Sequence, residues 1–170
     1  MKFTKTIEVK NIFNKISYKY DFLNNLLSFG LHRLWKRKLV NLLEPLNGED
    51  WADLCCGTGD LAFLISERVS PRGSITGIDS AEDILNIAKK KSLLLNNNIT
   101  WIKEDFFNYN NNLQYDVIIC QGVFHHMPNY LDAINKFYEM LNHDGILLLG
   151  VYNKWVKILQ KVLPLSFYNS

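Results

Sequence analysis

No run of eighteen apolar residues occurs in this 170-residue chain, so its sequence contains no candidate for a helix that spans a bilayer. The opening stretch MKFTKTIEVKN lacks the apolar core of a signal peptide, and it is not the Arg- and Ser-rich, acid-poor segment of a transit peptide. Charge of one sign is also missing. The net charge is +2 with 21% charged residues, which provides no domain-wide basic surface for nucleic acid. Cysteine is scarce: Cys55, Cys56 and Cys120 cannot all pair, two are adjacent, and no Cys/His spacing matches a zinc site. They read as reduced thiols in apolar strands, hence a reducing compartment. These absences predict a soluble protein made where it works, with no bound metal and no nucleic-acid partner.

What is present is ordinary globular material, 48% hydrophobic and long enough for one domain with a sizeable core. One stretch organises it. Trp51 to Ala62 reads WADLCCGTGDLA, in which apolar residues run to Asp53, glycines follow at Gly57 and Gly59, and an apolar-periodic segment opens at Leu61. That pattern is a strand, a glycine turn and a helix start. Such a turn brings backbone N–H groups and a helix N-terminus against a ligand with no Cβ in the way.

From residue 50 onward strands and helices alternate. Strands are expected over Trp51–Cys55, Ser74–Ile78, Ile99–Lys103, Asp116–Cys120 and Ile146–Tyr152, and helices over Leu61–Val69, Ala81–Leu95 and Tyr130–Leu141. Pro71-Arg72-Gly73 and Asp144-Gly145 read as turns, and Asp79 or Ser80 as the cap of the second helix. This order predicts an α/β fold with a doubly wound, mostly parallel sheet, whose ligand sits outside the carboxyl ends of the strands. Before it, residues 8 to 44 read as two or three helices. One apolar face is Ile12, Phe13, Ile16 and Tyr20, and another is Leu34, Leu39, Leu42 and Leu43. The basic run Arg33, Lys36, Arg37 and Lys38 reads either as a solvated face or as part of a lid across the ligand. The expected division is a helical lid over residues 1–48 and a ligand-binding domain over 49–170, together one structural unit.

The strand ends carry acids. Asp53 lies four residues before Gly57 and suits a cationic ligand group, with Thr58 and Asp60 following. Asp79, about twenty residues past the turn, can accept both hydroxyls of a ribose. Glu104-Asp105-Phe106 can accept from an adenine amino group and stack on its ring, and strand four ends at Gln121-Gly122.

With these strand ends, residues 50–152 resemble a class I S-adenosylmethionine-dependent methyltransferase. Residues 12–62 resemble, more narrowly, the family that C-methylates quinone precursors in ubiquinone and menaquinone biosynthesis, the phylloquinone enzymes included. That family's signature Y-D-x-M-N-x-x-[LIVM]-S-x-x-x-H-x-x-W is met by Tyr20, Asp21, Asn24, Leu27, Ser28, His32 and Trp35, with Leu23 in place of Met. DLCCGTGDLA matches its first cofactor motif. The resemblance implies S-adenosylmethionine as cofactor, held by Asp53, Gly57, Thr58, Gly59, Asp79, Asp105, Phe106 and Gln121. It also implies a prenylated naphthoquinol as acceptor, contacted by Tyr20, His32 and Arg33. Two departures stand out: Gln121 replaces the usual Ser, and Gly122–Met127 reads GVFHHM where the family usually has F-G-L-R-N-V. Family members also continue past strand five with two further strands, so the sheet is expected to lack them.

His125 and His126, after strand four, are candidate bases for removing a phenolic or ring proton. The segment KWVKILQKVLPL places Trp155, Ile158, Leu159 and Val162 on one helical face and Lys154, Lys157 and Lys161 on another. It reads either as a helix packed on the sheet or as a peripheral membrane contact near a lipophilic quinol. Location in cytoplasm or plastid stroma follows. The competing readings are methylation of a benzoquinol of the ubiquinone pathway or of another small molecule, the latter prompted by HHMP, and a non-catalytic cofactor-binding relative. A nicotinamide oxidoreductase normally begins at the nucleotide strand. An amino-methylating nucleic-acid enzyme needs an Asn/Asp-Pro-Pro-aromatic stretch after strand four, and this chain has none there.

Overall fold

The computed structural model describes residues 31–95, 97, 99–110, 112–124, 127 and 129–151. The calls on Ile12 to Tyr20, on His125 and His126, and on residues 154–165 lie outside the described residues, as does the His32 side chain. In chain order the elements are α1 Leu31–Leu43, β1 Asp50–Leu54, α2 Asp60–Val69, β2 Ser74–Asp79, α3 Glu82–Leu95, β3 Thr100–Lys103, β4 Tyr115–Gln121, α4 Tyr130–Met140 and β5 Leu141–Gly150. All strand pairs are parallel, and the order across the sheet is β3-β2-β1-β4-β5. The expected α/β doubly wound sheet is therefore present. Among the described residues no strand lies beyond β5.

The two faces follow from the alternation of side chains along a strand. Trp51, Ile75, Val117 and Ile119 face one layer with Leu61, Ile65 and Val69 of α2. Ala52, Leu54, Ile118 and Cys120 face the other, against Ala133, Phe137 and Met140 of α4. Burial on both faces is why β1 and β4 read as nearly unbroken apolar runs. The amino-terminal ends are stapled by side chains. Asp116 accepts the Asp50 N–H at 2.8 Å and the Asn142 amide at 2.6 Å, and Asp50 accepts from Ser74.

Two expectations need correcting. Strand five was expected to begin at Ile146 after a turn, but β5 already pairs Leu141 with Tyr115, and the register shifts before Ile146 meets Val117. Residues 142–145 stand opposite Asp116 alone, an excess of three, and the Asn142 bond to Asp116 spans that irregularity. On α1, Leu39 and Leu43 pack on the core beside buried Val40, whereas Leu34 and Leu42 are 62% and 72% exposed. The inward stripe is instead Lys36, Leu39, Val40 and Leu43, at i, i+3, i+4 and i+7.

Gly77 of β2 is paired with Trp101 of β3, and the indole lies across both Gly77 and Gly59. A Cβ at either glycine would collide with that ring. No left-handed backbone angle is involved at Gly77, so the demand there is for space alone. Gly77→Ala should therefore destabilise the fold by about 1–3 kcal/mol, as overpacking does. Urea denaturation measures it, and an unchanged midpoint would mean that the indole yields freely.

Candidate functional site

The strand order reverses direction between β1 and β4, and the turn after β1 opens at that point. Cys55 takes φ +60°, a left-handed angle costly for a side chain with a Cβ, and Gly57 and Gly59 follow at +59° and +80°. The turn is tied to its neighbours by backbone bonds. Cys56 N–H donates to Ile78 O at 3.1 Å, and Gly59 N–H donates to Cys56 O at 3.0 Å. Gly57 N–H donates to Asp79 Oδ2 at 2.8 Å, and Ala81 N–H donates to Asp79 Oδ1 at 2.8 Å. Asp79 thus braces the glycine turn and the entry to α3, the capping role expected of it.

Asp53 is buried, 3% exposed, and among the described residues its Oδ2 has no hydrogen-bond partner. Burial, partly countered by the Lys36 charge and reinforced by Asp79, pushes its carboxyl up from 3.8 to about 7. Asp60, first residue of α2, behaves in the opposite way. Burial works against its ionisation, but Lys36 and then Lys91 outweigh that and hold it down at about 2. Lys36 Nζ is 2.9 Å from Asp60 Oδ2, and Lys91 Nζ is 3.3 Å from Oδ1. Thr58 is buried, with its hydroxyl 3.5 Å from Asp60 Oδ1. Burial raises the Cys56 thiol, while contact with Cys120 and then burial raise Cys55, so both are held as neutral thiols.

The remaining expected contacts are spread around this centre. Asp105 Oδ1 accepts the Phe107 N–H at 3.1 Å, closing a tight turn after β3. Phe106 is 5% exposed and packs on Phe137 at a centroid distance of 5.3 Å, so it is a core residue at this position. Phe107 beside it is the more exposed ring. Gln121 ends β4 with its side chain exposed, next to Gly122, whose N–H donates to Gly150 O. Arg33 is exposed on α1, and Tyr20 lies outside the described residues. Lys36 and Trp101 are the participants that motif reading missed. No local sequence signal separated Lys36 from the other cations of its run.

S-adenosylmethionine brings an ammonium, a sulfonium and a ribose. A buried acid with an unpartnered oxygen, a turn with room at the Cβ position of Gly57, and a second acid at the end of β2 fit such a molecule. No group of His, Cys, Asp and Glu among the described residues could hold a metal ion.

Comparison with known proteins agrees with this construction. The model of the ubiE/COQ5 methyltransferase family matches residues 1–167. Demethylmenaquinone methyltransferase of Staphylococcus epidermidis is 32% identical over 146 residues, covering 85% of this chain and 60% of that protein. The Staphylococcus aureus protein of the same name is 31% identical over 143 residues, covering 83% and 58%. The chain thus spans about three-fifths of the length of these relatives. Among solved structures, a putative S-adenosylmethionine-dependent methyltransferase of Methanococcus maripaludis superposes with TM-score 0.67 at 18% identity, over 91% of this chain and 71% of that one. Magnesium protoporphyrin IX methyltransferase of Synechocystis, solved with bound S-adenosylmethionine, gives 0.65 at 22%, over 81% and 72%. These two share the fold.

The raised Asp53 carboxyl has a consequence for stability. A carboxyl whose folded pKa lies above its unfolded value favours folding most below pH 4, and that contribution is lost as pH rises through about 7. The loss is on the order of 4 kcal/mol. Asp53→Asn should abolish this slope and melt higher than the parent at pH 8, while weakening cofactor binding about tenfold or more. Thermal melts at pH 5 and pH 8, with and without S-adenosylmethionine, test both halves. An identical pH slope in the variant would place the titration elsewhere.

Proposed function

The chain belongs to the ubiE/COQ5 methyltransferase family, and we propose that it transfers a methyl group from S-adenosylmethionine to a ring carbon of a prenylated quinol. The observation that carries the reading is the convergence of Asp53, the Gly57–Gly59 turn and Asp79 at one switch point of the sheet. S-adenosylmethionine supplies an electrophilic methyl when bound. The residues of the chain do the rest by position. Asp53 offers a buried carboxylate to a cationic group, Gly57 leaves room for an extended ligand, and Asp79 presents acceptors at the β2 end. Asp105 and Gln121 mark the next two strand ends, where an adenine is expected. Thr58 lies within the turn. Positioning of this kind accounts for most of what such a reaction requires of a protein.

A reduced quinone is nucleophilic at the carbon beside a phenolate, so the acceptor needs only orientation and a group that takes its proton. His125 or His126 is the proposed base, contributing ~10²–10⁴-fold. Tyr20, His32 and Arg33 are the proposed acceptor contacts. The names of the staphylococcal relatives support an acceptor of demethylmenaquinone type over a benzoquinol, and a demethylphylloquinone-type acceptor is proposed on the sequence resemblance alone. Cytoplasm or plastid stroma is the proposed location, with residues 154–170 as a peripheral membrane contact. One observation favours a second reading: GVFHHM at Gly122–Met127 departs from the family pattern, which points to a different small-molecule acceptor.

The deciding assay supplies chemically reduced demethylnaphthoquinol in detergent micelles together with labelled S-adenosylmethionine. Methylated naphthoquinol should appear, and Asp79→Ala should reduce it by at least tenfold. Substitution of His125 and His126 together should reduce turnover by about 10²-fold or more while leaving cofactor affinity unchanged. A folded chain that binds the cofactor but methylates neither naphthoquinol nor benzoquinol would favour the second reading.

A further inference from the structure

The helix α1 carries four cations and no acid, and the first acid after it, Glu44, stands past the helix end. Lys36 is taken up by Asp60. Arg33, Arg37 and Lys38 are exposed, and no ion pair holds them among the described residues. The side of α1 turned away from the fold is also apolar. Leu31, Leu34, Trp35 and Leu42 recur at i, i+3, i+4 and i+11, and they are 52%, 62%, 74% and 72% exposed. Arg33 and Arg37, one turn apart, run beside this stripe. Lys38 stands within it, where a lysine stem can lie along apolar surface while its ammonium stays in water. A helix packed on its inner side that still keeps a tryptophan and three leucines in water has apolar area for a partner to cover.

We propose that the outer face of α1 docks on an anionic lipid bilayer, with Leu31, Leu34, Trp35 and Leu42 entering the interface and Arg33, Arg37 and Lys38 meeting the headgroups. Charge decides among the possible occupants. A second copy seated face to face would set three cations against the same three. Residues 1–30, which adjoin α1 in sequence, hold five lysines against Glu8 and Asp21, a formal excess of three positive charges. They carry the same sign as the face they would cover. An anionic partner remains. A nucleic acid or an acidic peptide would meet the cations and leave the three leucines in water, whereas a bilayer satisfies both. The placement suits access to the cofactor site. On the inner side of α1, Lys36 reaches Asp60, the residue after Gly59, so a bilayer on the outer side lies about one helix diameter, ~10 Å, from the glycine turn. This surface is distinct from residues 154–170. The inference stands without the quinol reading, which a bilayer at that distance would serve by presenting a lipophilic acceptor.

The test is co-sedimentation of the 170-residue chain with vesicles of phosphatidylcholine alone or of phosphatidylcholine mixed with phosphatidylglycerol. The chain should bind the mixed vesicles, less so as salt is raised, and the neutral ones only weakly. Arg37→Gln together with Lys38→Gln should weaken binding by about tenfold or more, at roughly fivefold per cation. Trp35→Ser should weaken it by about fivefold or more, and Leu34→Ser reads the same face where Trp35→Ser does not fold. Substitution of Lys154, Lys157 and Lys161 by Gln should leave the part of the binding that depends on α1 in place. In a Trp155→Phe background, brominated lipid should quench Trp35, since Trp51 is buried in the core and Trp101 backs the glycine turn. Equal binding to both kinds of vesicle overturns the proposal, as do α1 variants that bind like the parent. A lipid-free dimer that Leu34→Asp returns to a monomer would assign the face to a second copy and overturn it. Failure of acrylamide to reach Trp35 in the lipid-free chain would assign the face to residues 1–30, with the same result. Retention on heparin without vesicle binding would assign it to a polyanion, and again the proposal falls. Vesicle binding through α1 by a chain that methylates no quinol supports this inference while removing the quinol reading.

Discussion

The carboxyl end of the sheet depends on the Asp79 carboxylate. One oxygen accepts the Gly57 N–H and the other the Ala81 N–H, each at 2.8 Å, so a single side chain joins the turn after β1 to the end of β2 and the entry to α3. Charge-assisted bonds of this kind contribute about 1.5–3 kcal/mol each. Without that tie, Gly57 would have an unpaired N–H in a turn that already holds Cys55 at φ +60°. The turn's shape is therefore imposed by a neighbouring strand. The bland role of Asp79 as a cap and its sharp role as a ribose acceptor are compatible, since a ligand would meet a carboxylate that is already oriented.

Steric support comes from the opposite side. The Trp101 indole lies across Gly59 and Gly77 and is tilted against Phe63 at 5.5 Å, so β3 reaches under β2 to back the turn. The floor of the site is thus built from two strands and a helix, and Trp101, the ring that backs it, belongs to none of the motifs. Gly77 shows the same logic. It is mid-strand, where glycine ordinarily weakens pairing, and the ring it accommodates explains its presence.

Much of this was legible in the sequence, because the signals were local. Strands buried on both faces read as apolar runs, the glycines marked the turn, and the acids stood at the strand ends where a parallel sheet presents them. Boundaries of β1 to β4 came within about two residues. What was not legible depended on non-local contact. The early start of β5 rests on Asn142 reaching Asp116, 26 positions away. The burial of Phe106 rests on Phe137, contributed by a helix far along the chain. Lys36 stood in a run of four cations, and only the side on which α1 meets α2 singled it out. Leu34 and Leu42 were misplaced for the same reason: a stripe of leucines admits more than one inward face until its neighbour is known.

The two ends of the sheet differ in a way that itself bears on function. At the amino-terminal end, Asp50 and Asp116 are engaged by Ser74, Asn142 and backbone N–H groups. At the carboxyl end stand a left-handed cysteine and a buried carboxylate with an unpartnered oxygen. Both cost folding free energy, and the core of β1 and β4, buried on both faces, is what compensates. Local departures of this kind are retained where they are used. The unpartnered oxygen of Asp53 beside the switch point argues for a cationic ligand independently of the motif, because a sheet selected for stability alone would have filled the Asp53 position with an apolar residue.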